Sequence, residues 1–72
     1  MELEYRYSKN VMQSFNRQRD MAHIIINSMG YTVLSVSIKN TKSTPKEIIR
    51  LKTSSTEESV ITISKDGVKL EA

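Results

Sequence analysis

The stretch "SKNVMQSFNRQRDMAHIIINSMGY", Ser8 to Tyr31, decides the fold because both of its ends carry helix punctuation. Ser8 is a good N-cap, and Tyr7 and Met12 occupy the staple positions on either side of it. Gly30 supplies the left-handed stop, with Tyr31 placed to touch Ile26 in a Schellman-type ending. These signals predict one helix over about residues 9–29, roughly 32 Å long at about 1.5 Å per residue. On a wheel of about 100° per residue, Val11, Phe15, Gln18, Ala22, Ile25, Ile26 and Met29 share one stripe. Gln13, Asn16, Asp20, His23 and Asn27 fall opposite. Arg17 and Arg19 flank the stripe, where their stems can cover apolar surface and their guanidinium groups stay wet. The cluster Asn16-Arg17-Gln18-Arg19-Asp20 therefore reads mainly as the solvent side of a helix rather than as a dedicated basic motif. Met21 and Ile24 lie well outside the stripe, so the C-terminal half of the helix is apolar around most of its circumference.

On the N-terminal side, Leu3, Tyr5 and Tyr7 alternate with Glu2, Glu4 and Arg6, the period of a short strand with one wet face. On the C-terminal side, "YTVLSVSIK" reads as a strand. Thr32, Leu34, Val36 and Ile38 fall on one face, and Tyr31, Val33, Ser35, Ser37 and Lys39 on the other. "NTKSTPK" is a loop by composition. Residues 44–52 suit either a strand or a short helix. Thr44-Pro45-Lys46-Glu47 has the form of a capping box, but Ile49, Leu51 and Thr53 alternate with Ile48, Arg50 and Lys52. The alternation tips the reading toward strand, because a two-turn helix is marginal alone. Asp66-Gly67 between alternating segments predicts a C-terminal β-hairpin with a type I′ turn, pairing Lys65 with Val68 and Ile63 with Leu70. Ile61, Ile63, Val68 and Leu70 then share a face.

The fold class that results is α+β. One long helix is packed on a mostly antiparallel sheet of four to five strands, in a single small domain spanning residues 1–72. The expected core runs from Leu3, Tyr5 and Tyr7 through Val11, Phe15, Ala22, Ile25, Ile26 and Met29 of the helix. The strands add Leu34, Val36, Ile38, Ile49, Leu51, Ile61, Ile63, Val68 and Leu70.

Composition removes several functions. A chain of 72 residues is close to the lower limit for a self-sufficient core and leans on good packing or a second copy. With no cysteine and His23 as the only histidine, disulfides and Cys/His zinc sites are out, and no cofactor is expected. His23 falls on the polar helix face near Asp20, a poor base for a hydrolytic triad. The adjacent Glu57 and Glu58 point apart, and Gly30 and Gly67 are the only glycines, too few for a phosphate loop. No enzymatic activity is expected. The longest aliphatic run, Ile24-Ile25-Ile26, cannot span a bilayer, so a soluble cytoplasmic protein without membrane contact is the expectation.

Two surfaces remain. The net charge of +3 is concentrated in residues 39–52, where Lys39, Lys42, Lys46, Arg50 and Lys52 stand against Glu47 alone. That segment would draw phosphate, as in a nucleic-acid binder. Aromatic platforms for stacking bases are scarce, since Tyr5, Tyr7 and Phe15 are read as core. The second surface is apolar: Met12, Met21, Ile24, Val33, Ile48 and Val60 are left outside the expected core. Gln18, Met21, Ile24, Met12 and Val33 form a candidate dimer or partner interface, with Gln18 able to fix register in an apolar seam. The expected function is a non-enzymatic small binding protein, a homodimer that also occupies an unidentified protein target. Its strand–helix–strand–hairpin order is similar to that of many short regulators and inhibitors encoded by phages and mobile elements, a general likeness without a motif.

Overall fold

The structure is a computed structural model and describes residues 6–71. One helix, α1 (Lys9–Met29), is followed by strands β1 (Thr32–Asn40), β2 (Pro45–Lys52), β3 (Glu58–Ser64) and β4 (Gly67–Glu71). The strands form one antiparallel sheet in the order β1-β2-β3-β4, so each strand pairs with its sequence neighbour. The fold is α+β, as the periodicities indicate. The strand expected around Leu3 and Tyr5 lies outside the described residues.

The helix ends are built by the residues that predict them. The Val11 N–H donates to Ser8 Oγ at 3.2 Å. At the other end Gly30 takes φ 71°, and the Gly30 and Tyr31 N–H groups donate to the carbonyls of Asn27 and Ile26. A residue with a Cβ would be strained at that angle. Tyr31 then packs against the core.

Residues 45–52 are a strand. Pro45, Glu47, Ile49 and Leu51 are buried, and the residues between them face the other way, a period of two that no helix can produce. Pro45 is its first residue, where a missing N–H costs least. The loop before it is short and well tied. Tyr7 Oη donates to the Thr41 carbonyl at 2.6 Å, holding the start of α1 to the end of β1. The Lys65 N–H donates to the hydroxyl of the buried Thr44, which anchors the β3–β4 turn to the same corner.

Two registers differ from the expected ones. The hairpin pairs Ser64 with Gly67 and Ile63 with Val68, so its two loop residues are Lys65 and Asp66. A type I′ turn needs positive φ at both central positions; only Gly67, at 148°, is positive here, so the glycine closes the turn instead of sitting within it. The slip is by a whole pair, which keeps Val68 and Leu70 on the face of Ile61 and Ile63. In β1 the register skips between Val33 and Ser35, a bulge that leaves Leu34 without a partner. Val33 pairs with Leu51 and Val36 with Ile49, so the bulge turns Val33 to the helix side. Simple alternation had assigned it to the other face.

The core is smaller than expected. Phe15, Ala22 and Ile26 of α1 pack on Ile49 and Leu51 of β2 and on Ile61 and Ile63 of β3. Ile25, Met29, Leu34, Val36, Ile38, Val68 and Leu70, all expected inside, are exposed, and Val11 and Tyr7 are half-buried. The reason is width. A helix with its side chains is about 10–12 Å across and strands lie about 4.8 Å apart, so one helix shields little more than two strands. Here α1 packs on β2, β3 and β4 and does not approach β1.

Candidate functional site

The uncovered helix-side face forms the first candidate surface. Every residue of β1 is exposed. Its partners in β2 show which side chains share the helix-facing side: Val33, Val36 and Ile38 lie opposite Leu51, Ile49 and Glu47. Val36 is 51% exposed although its cross-strand partner Ile49 is completely buried, so among the described residues this apolar band has no covering element. A second band lies on the other side of α1. Arg19 and His23 reach Glu47 of β2, so the opposite flank of the helix, with Gln18, Met21 and Ile25, looks toward β4. There Val68 and Leu70 are exposed as well.

The five residues of the candidate apolar interface are distributed around this frame. Met21 and Ile24 are exposed, and they border an open concavity of about 580 Å³ shared with Gln13, Asn16, Arg17 and Asp20. Gln18 is half-buried on the β4 flank, whereas Met12 is exposed on the flank of Arg19 and His23. Val33 is separated from all of these on β1. Of the remaining apolar residues set aside as surface, Ile48 and Val60 are half-buried on the sheet's outer side.

Between α1 and β2 sits a polar cluster that helical periodicity did not point to. Glu47 is 2% exposed and has a basic side chain beside each carboxylate oxygen. His23 Nε2 lies 3.0 Å from Oε2, and Arg19 Nε lies 3.4 Å from Oε1. His23, read as a residue of the wet face, is thus half-buried and paired. The signal was available: strand alternation puts Glu47 on the face of Ile49 and Leu51. A carboxylate there requires cationic or donor partners, because burying it unpaired is costly. The cluster ties the flank of α1 to β2.

The basic residues of the strands occupy the sheet's outer face, which no helix among the described residues covers. Lys39 pairs directly with Lys46 across β1 and β2, and Lys69 lies on the same side two strands away. A shallow depression of about 330 Å³ is lined there by Lys46, Thr62, Ser64, Asp66, Gly67, Val68 and Lys69. Arg50 is engaged by Glu58 at 2.8 Å, and Lys52 lies opposite the same Glu58. Acid therefore interrupts the basic surface at that end. Lys42 stands apart in the β1–β2 loop.

Among the described residues no group of three His, Asp or Glu side chains could hold a metal ion, and no helix is long and apolar enough to cross a membrane. No protein-family model, no curated protein and no solved structure matches this chain.

Proposed function

We propose that the protein is a non-enzymatic binding protein that acts by covering the surface of a partner protein, as small regulators and inhibitors do. The observation that carries this reading is the mismatch, among the described residues, between seven buried apolar side chains and eleven large ones left exposed, arranged in bands on both sides of one helix. Exposed apolar surface on that scale costs solubility and has value only when something covers it. Met12, Met21 and Met29 suit an adaptable contact, since unbranched thioether side chains repack readily.

A photoreactive side chain placed at Ile24 or at Ile38, with Glu57 as the control position, tests this in the source cell. The expected outcome is a discrete covalent adduct with one other protein from Ile24, an adduct with that protein or with a second copy of this chain from Ile38, and none from Glu57. Equal labelling from all three, or no protein adduct at all, refutes the reading.

The directly paired Lys39 and Lys46 on an open sheet face support a second reading, phosphate contact with a nucleic acid. It predicts a gel shift that weakens steeply with salt and disappears in Lys42→Glu with Lys46→Glu. No shift at low salt eliminates it.

A further inference from the structure

We propose that β1 pairs antiparallel with β1 of a second copy of this chain, about a twofold axis at Ser37, to give a continuous eight-stranded sheet. The inference rests on the reading of β1 as a contact surface and names its occupant. An edge strand presents a row of unpaired backbone donors and acceptors, and proteins blunt such edges with short length, charge, proline or bulges. The two edges of this sheet are treated differently. β4 has five residues and carries Lys69 and Glu71. β1 has nine, with no proline and Lys39 as its one charge. Besides that lysine, its protective device is the bulge at Leu34, which leaves Ser35–Asn40 regular.

That regular stretch is self-complementary. About an axis at Ser37, Val36 lies opposite the partner's Ile38 on the helix side, and Ile38 opposite the partner's Val36. On the outer side Ser37 meets the partner's Ser37 and Lys39 meets the partner's Ser35. Apolar residues meet apolar ones, hydroxyls meet polar groups, and no like charges face each other. The next step would bring Asn40 against the partner's Leu34, where the bulge ends the ladder. An isologous contact of this kind closes after two copies. The axis stands perpendicular to the sheet, so both helices lie on one face, with the paired Val36 and Ile38 side chains between them.

Five residue pairs fall short of a standard interface, so the expected monomer–dimer equilibrium lies within about 10 µM to 1 mM. Sedimentation equilibrium over that range tests it. V36K/I38K changes two side chains that are exposed in the single chain, and circular dichroism checks that the fold is kept. It should weaken the dimer about tenfold or more, as should V36E/I38E, while an equimolar mixture of the two restores association because position 36 faces position 38 of the other copy. L70K, on the opposite edge, should leave the equilibrium unchanged. In a chain without cysteine, Ser37→Cys should form a disulfide-linked dimer under mild oxidation more readily than Ser35→Cys.

A chain that stays monomeric to 1 mM overturns the proposal, as does a dimer that survives V36K/I38K or is lost in L70K. Those outcomes leave the photocrosslinking result standing by itself. A partner adduct without self-association would sink this inference and keep the wider reading.

Discussion

β1 and β2 lie side by side with similar alternating patterns, yet one is bare and the other is buried. Ile49 is inaccessible to solvent, while its cross-strand neighbour Val36 is half exposed at 51%. The chemistry of the two side chains is nearly the same. What separates them is one strand spacing and the position of α1, held over β2 by the Glu47 cluster and leaning toward β4. Alternation selects a face; burial requires a second layer above it.

The contrast can be broken in order of effect. Ile49→Ala should destabilise the fold by about 2–5 kcal/mol, because it opens a cavity among side chains that cannot collapse to fill it. A midpoint shift in urea with an unchanged slope checks this. A loss below 1 kcal/mol would mean that β2 is no better covered than β1.

Removing both Arg19 and His23 as alanines should cost about 1–3 kcal/mol, since Glu47 is then left buried without a partner. Glu47→Leu should cost less. Arg19 and His23 are each 40% or more exposed in their side chains and can turn to water, and an apolar residue suits the face of Ile49 and Leu51. Thermal unfolding of the two variants side by side reads the asymmetry. The reverse order would show that the cluster does not fix α1 on β2.

The smallest effect belongs to β1. At low protein concentration, Val36→Thr should change stability by no more than about 0.5 kcal/mol, as substitutions away from a packed core do. A cost comparable to that of Ile49→Ala would mean that Val36 is covered in solution even at dilution.

The sequence determined a good deal by itself. Ser8 and Gly30 bound α1 because their side-chain and backbone preferences are local, and the structure realises both caps. The period of two in 45–52 outweighed a capping-box signature for the same reason, because each buried side chain reports its own face. Local chemistry also carried the hairpin, within limits. It marked Gly67 as the turn residue but misjudged the turn by one pair, since a positive φ can close a hairpin from either side of the loop.

Only the tertiary structure decided which of the apolar faces would be covered. Val36, Ile38, Val68 and Leu70 have the pattern of core residues, and nothing in their neighbourhood in sequence distinguishes them from Ile49 or Ile63. The difference is geometric: a helix of fixed width cannot roof four strands, and where it settles depends on contacts between residues as distant as His23 and Glu47. The bulge at Leu34, which turns Val33 to the helix side, is likewise a property of the β1–β2 pair rather than of either strand alone. Local preference writes the elements; the limited reach of one helix determines which apolar faces stay uncovered.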